Sequence, residues 1–278
     1  MNAIPDFESA RHTRPLSAPL HYLADMDERP MFHVHDQSHD NLKLVSHMTP
    51  IAEARGMRAS LDVEGFCLVH HRTSVTNLMS KREVLALYGP EMQELVGTLT
   101  GASVVTAAPL GVVRATEATA TPTTVHRPLR FVHADHSDRS ATLSLQKRLS
   151  LPVEQPLPAG RYAIYHAWRV LTPAPQDSPL ALCDARTVSS EDTVAADTIL
   201  DFPGSRAGRM EVTLFRHNPS HRWYYFPDMT CDEVLVFKDF DTDPAHPCKV
   251  PHSAFDDPNC PPTVPPRISI DLQLFAMF

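Results

Sequence analysis

Apolar and polar residues alternate with a period of two along much of this chain. Over 161–170, Ile164, His166 and Trp168 fall on one face, Tyr165 and Arg169 on the other. Met210, Val212 and Leu214 alternate with Glu211 and Thr213. Near the C-terminus, Ile268, Ile270, Leu272 and Leu274 alternate with Arg267, Ser269, Asp271 and Gln273. Residues i and i+2 of a strand share a face, so each pattern predicts a strand. Helical spacing runs over 80–101. Residues 80–83 have the form of a capping box, with Val84, Leu87 and Tyr88 following. Gly89-Pro90 breaks that helix, and Met92, Leu95, Val96 and Leu99 form a second stripe ending near Gly101. Many alternating segments, Pro-rich connections and two short flanking helices predict a mainly β fold, a two-sheet jelly-roll or barrel.

Two stretches lack a period. Residues 1–45 are polar and irregular and read as an N-terminal arm, leaving 46–278 as one domain. Residues 184–206 are long for a connector and read as a lid or an insertion.

Composition removes several function classes. The net charge is −8 with no Lys/Arg-rich run, which argues against a nucleic-acid partner. No apolar run reaches membrane-spanning length, and the N-terminus lacks a signal-peptide pattern. Five cysteines without a C-x-x-C pattern argue against a disulfide framework and for a cytoplasmic setting. The 16 histidines make chance His–Asp pairs common, so a single motif carries little weight.

Two overlapping H-x-D tripeptides occur, at His133/Asp135 and His136/Asp138. The first follows Leu129, Phe131 and Val132 as a strand end would, and the second sits in a polar, loop-like run. A same-face His and Asp joined by the distant His252 would form a facial set of two imidazoles and one carboxylate. Such a set binds Fe(II) and leaves the opposite face open. Arg267 and Ser269 share the polar face of the last strand, where an Arg fork can grip a carboxylate. The order H-x-D, H, R-x-S is that expected of an iron site followed by a clamp for 2-oxoglutarate. Trp168, Arg169, Tyr224 and Tyr225 are candidates for the pocket wall. For the aromatics, core packing is the plainer role. Arg169 is a candidate anchor for a carboxylate, because Arg is rarely buried unpaired. Cys248 and Cys260 flank His252 and keep a zinc-dependent hydrolase as a rival. A cupin-like binding protein without turnover is another.

Longer segments carry a resemblance. They are residues 60–66, 132–137, 160–162 leading to 167–169, and 179–184. They continue through 222–229, 232–234, 252–255 and 266–270. Together they resemble the hydroxylase/desaturase family of fungal and bacterial natural-product pathways, over roughly residues 50–275. The resemblance implies a double-stranded β-helix of cupin-like type. It also implies an enzyme that uses Fe(II), 2-oxoglutarate and O2 to hydroxylate, desaturate or cyclise a small molecule. It selects His133, Asp135 and His252 as metal ligands over His136/Asp138, and Arg267 with Ser269 as the cosubstrate clamp. The chain departs from the family at His166, where Asn is usual, at Val170, where Pro is usual, and at Ile268, where Glu is usual.

Overall fold

The alternating segments fold as strands of two facing sheets. A computed structural model describes residues 16–115, 125–201, 204 and 206–278. One sheet runs in the order Phe66–His70, Glu233–Asp241, Tyr162–Val170, Ile268–Met277, Val112–Ala115, Val125–His126, with Val104–Ala107 also paired to Ile268–Met277. The other runs Leu16–Leu23, Leu44–Glu53, Trp223–Tyr225, Leu180–Cys183, His252–Ala254, His133–Ala134, Gly208–Phe215, Thr193–Leu200, Met31–His33. This is the expected double-stranded β-helix.

Each face of the central strand Tyr162–Val170 meets a different core, as its alternation requires. Trp168 and Val170 point between the sheets, where they pack with Phe66, Leu180, Leu182, Leu235 and Phe237. Tyr165 and Ala167 point outward, against Tyr88, Met92 and Val96 of the flanking helix. Phe237 has no exposed surface. Truncating such a side chain to Ala costs about 3–5 kcal/mol.

Three expectations are corrected. The helical region is continuous: Lys81–Glu83 leads through a π-turn, Val84–Tyr88, into Gly89–Thr100. The Gly89 N–H reaches Val84 O, five residues back, and this wider turn carries the chain past Pro90. Ser80 caps Glu83 N–H, but the Glu83 carboxylate accepts from Thr76 and Asn77 N–H, so only half a capping box forms. Gly101 ends the helix in the left-handed region at φ 69°.

Secondly, the segment expected to be an arm enters the sheet. Leu16–Leu23 pairs with Leu44–Glu53, burying Leu16, Ala18, Leu20 and Tyr22, and Met31–His33 pairs with Thr193–Leu200. Pro19 in the middle of an edge strand masked this alternation, and residues 1–15 lie outside the described residues. Thirdly, most of the segment expected to be a lid or insertion is regular structure, and residues 202, 203 and 205 lie outside the described residues. Residues 185–187 and 190–192 are single 3-10 turns, and Thr193–Leu200 pairs along its whole length with Gly208–Phe215. Small residues such as Ala195 and Ala196 hid the strand period.

Candidate metal centre

His133 and His252 come from adjacent strands and are direct cross-strand partners. Their ring centroids lie 4.3 Å apart. Each ring donates Nδ1–H to the carbonyl two residues back: His133 to Phe131 at 2.8 Å, His252 to Val250 at 3.1 Å. With Nδ1 so engaged, each Nε2 presents a lone pair to the interior, as metal-binding histidines do. Asp135 lies just past the end of the same strand as His133, its Oδ1 3.5 Å from His133 Nε2. Donor atoms of His133, Asp135 and His252 all fall within 4.8 Å of one another.

Electrostatics suit a cation here. Burial, with the neighbouring His133, pushes His252 down to about 3, so it is a neutral imidazole at physiological pH. Burial pushes the Asp135 carboxyl up, but the adjoining His133, His166 and His252 imidazoles outweigh it. Asp135 is held well below the usual carboxylate range. Two imidazoles and one ionised carboxylate on one side of a point are the donor types of a facial Fe(II) set.

A narrow cavity of about 30 Å³ touches these three side chains together with Trp168, Arg114, Arg267 and Asp271. Arg267 is 1% exposed. Its Nη1 donates to Ser269 Oγ at 3.1 Å, and its guanidinium carbon lies 5.4 Å over the Trp168 ring. Burial, then the nearby Arg114, pushes the guanidinium down to about 9, which still leaves it a cation at neutral pH. The polar face of the last strand therefore meets the cavity through Arg267 and Asp271, with Ser269 bonded to Arg267 between them.

Other candidates lie elsewhere. Arg169 is on the outward face of its strand, donating to the carbonyls of His71 at 3.0 Å and Cys231 at 2.5 Å. Tyr224 packs on Phe66 and Tyr225 on Phe255, with centroids 6.0 Å and 5.6 Å apart, and neither lines the cavity. His136 contacts Asp239 at 2.5 Å, and Asp138 is exposed at the start of the helix Asp138–Arg148. Among the described residues neither cluster of potential metal donors contains a cysteine, so the zinc rival near Cys248 and Cys260 has no support.

Sequence reasoning missed Asp239, Asp271 and His166 as parts of this centre. Asp239 sits where the register of Glu233–Asp241 shifts, between Lys238 and Phe240. Such a bulge re-aims a side chain. Asp239 accepts the Asp135 N–H at 3.0 Å. Its charge, beside Lys238 and just after the buried apolar run 234–237, was the readable signal. His166 is fully buried and contacts Asp271 through Nδ1 at 2.9 Å. Burial lowers the His166 pKa, but the charge of Asp271, the hydrogen bond to it and the nearby Asp239 and Asp135 carboxylates outweigh this and raise it well above the ordinary value.

A family model described as an oxidoreductase/YMDC permease-like domain matches residues 20–277. The hydroxylase/desaturase efuI of Hormonema carpetanum is 34% identical over 217 residues, 70% of this chain and 72% of that protein. The chain belongs to the hydroxylase/desaturase family. A second such hydroxylase/desaturase, CTB9 of Cercospora beticola, is 31% identical over 241 residues, 79% of this chain and 72% of that protein. The Fe(II)/2-oxoglutarate-dependent dioxygenase nvfI of Aspergillus novofumigatus is 28% identical over 147 residues, 53% of this chain and 51% of that protein. A solved structure of the iron and alpha-ketoglutarate-dependent endoperoxidase NvfI superposes with a TM-score of 0.79 at 22% identity, covering 95% of this chain and 99% of that one. At that identity the likeness speaks for the fold. For this family member, no helix among the described residues is long and apolar enough to cross a membrane.

Proposed function

We propose that this chain is an Fe(II)- and 2-oxoglutarate-dependent oxygenase. In one β-helix domain it hydroxylates, desaturates or cyclises a small natural-product intermediate, releasing succinate and CO2. One observation carries the reading: His133, Asp135 and His252 converge on a cavity whose other wall holds the buried cation Arg267. A divalent metal with no clamp would fit many chemistries. A buried Arg fork beside it selects a carboxylate-bearing cosubstrate.

His133, Asp135 and His252 would hold the iron. Arg267, braced by Ser269 and stacked over Trp168, would hold the far carboxylate of 2-oxoglutarate. When bound, iron, 2-oxoglutarate and O2 supply the oxidation of a substrate C–H bond. The chain's own part is orientation and dryness. The carbonyls of Phe131 and Val250 fix both imidazoles in one tautomer. Trp168, Leu129 and Leu180 supply the apolar part of the cavity wall and limit bulk water there. The five free cysteines fit a reducing, cytoplasmic setting.

The test is succinate formation by purified protein given Fe(II), 2-oxoglutarate and O2. Uncoupled turnover should release succinate even without substrate, and omission of any one component should stop it. Tight 2-oxoglutarate binding with no succinate above background would favour a cupin-like binding protein instead.

A further inference from the structure

His166 occupies the middle of the central strand with no exposed surface, its ring lying flat on Phe237 at 4.8 Å and 5°. Its Nδ1 faces both oxygens of Asp271, at 2.9 and 3.0 Å. The Phe237 ring and the Asp271 carboxylate together fix the imidazole's plane and its rotation. Nε2 is thereby aimed into the gap between two other carboxylates. It lies 3.8 Å from Asp135 Oδ2 and 3.7 Å from Asp239 Oδ2. Within hydrogen-bond reach, Nε2 has no partner among the described residues. A buried donor left unmet is costly, and folded proteins seldom tolerate it without a reason.

The reason lies in how Asp135 is held. Its backbone N–H is tied to Asp239 Oδ1 at 3.0 Å, which fixes the base of the side chain. Its Oδ1 is the oxygen near His133 Nε2, at 3.5 Å, and its Oδ2 is the oxygen near His166. One carboxylate oxygen therefore faces the metal centre and the other faces the imidazole. We propose that His166 is a positioning residue: held by Asp271 and Phe237, it retains Asp135 Oδ2, so that Asp135 offers a metal one oxygen rather than two. This rests on the reading of His133, Asp135 and His252 as the metal ligands. A carboxylate that binds through one oxygen leaves one more coordination position for cosubstrate and O2.

Cobalt(II) titration of the metal-free full chain tests this without turnover, since the visible Co(II) band reports coordination. His166→Leu should weaken Co(II) binding about 10–100-fold, the usual cost of losing a group that orients a metal ligand. The band should also change shape as Asp135 turns to chelate through both oxygens. His166→Gln, whose amide N–H can reach toward Asp135, should restore affinity to within about threefold, less than the loss from removing the orienting group. Asp271→Asn, which loosens the grip on Nδ1, should weaken binding about threefold to tenfold, below the full second-sphere effect. A folded His166→Leu chain with wild-type affinity and an unchanged band overturns the proposal. Should His166→Leu fail to fold, unchanged Co(II) affinity in Asp271→Asn overturns it. Wild-type chain that binds no Co(II), and so matches a His133→Ala control, overturns the metal-centre reading and this proposal together.

Discussion

Arg169 lies on the strand Tyr162–Val170 and Arg267 just before the neighbouring strand Ile268–Met277, with exposures of 0% and 1%. They point to opposite faces. Arg169 meets the flanking helix and the chain around 71 and 231. Its Nη1 serves two carbonyls, its Nη2 lies 2.9 Å from His71 Nδ1, and its Nε lies 3.4 Å from Tyr88 OH. Arg267 meets the cavity that holds His133, Asp135 and His252. Equal burial thus serves unequal ends. Where protein carbonyls take up the guanidinium fork, the arginine ties loops to a strand. Arg267 lines the cavity beside His133, Asp135 and His252, and its proposed role is to hold an anion from outside. Strand parity separates the two, because odd positions of Tyr162–Val170 face outward while odd positions of Ile268–Met277 face inward.

Substitutions can sharpen or break this contrast. The largest effect belongs to the metal end of the cavity. His133→Ala should weaken Mn(II) binding by at least about 100-fold, since it removes a ligand and not merely an orienting group. Calorimetric titration checks it, and near-normal affinity would detach Arg267 from any metal site. Next, Arg267→Ala should raise the half-saturating 2-oxoglutarate concentration at least tenfold while Mn(II) binding persists. Truncating one partner of a buried charge pair costs on the order of 2–5 kcal/mol.

Arg169→Met should do the reverse. It strands the His71 and Cys231 carbonyls, at about 1–3 kcal/mol for each unmet group. A melting temperature several degrees lower, with 2-oxoglutarate affinity within about twofold, is expected, because about 1 kcal/mol shifts a chain of this size by roughly 2–4 °C. If Arg169→Met weakened 2-oxoglutarate and Arg267→Ala did not, the contrast would be inverted. The smallest effect is Ser269→Ala, which removes one hydrogen bond to Arg267 worth about 1 kcal/mol. Its 2-oxoglutarate affinity should fall about fivefold or less.

The strands that build the site were legible because their period is clean. Arg267, Ser269 and Asp271 could be placed on one face from spacing alone, and so could His166 with Trp168. Whether that face met solvent or a cavity was not legible, since alternation fixes parity and not surroundings. Leu16–Leu23 escaped notice because Pro19 interrupts it, and Thr193–Leu200 because its residues are small. The choice between His133/Asp135 and His136/Asp138 rested on the company each pair keeps. In the structure His136 becomes a support, linked through Asp239 to the backbone of Asp135. That link joins residues about a hundred positions apart, and no local pattern announces it. Arg169 was misjudged because burial suggested a ligand while its carbonyl partners lie in distant loops.

The most direct test of the metal centre is the weak visible charge-transfer band that forms when Fe(II) and 2-oxoglutarate bind together without O2. Wild-type protein and His136→Ala should both develop it, and His252→Ala should not. A band that survives His252→Ala but vanishes in His136→Ala would contradict the account, because the metal would then sit on the other H-x-D pair.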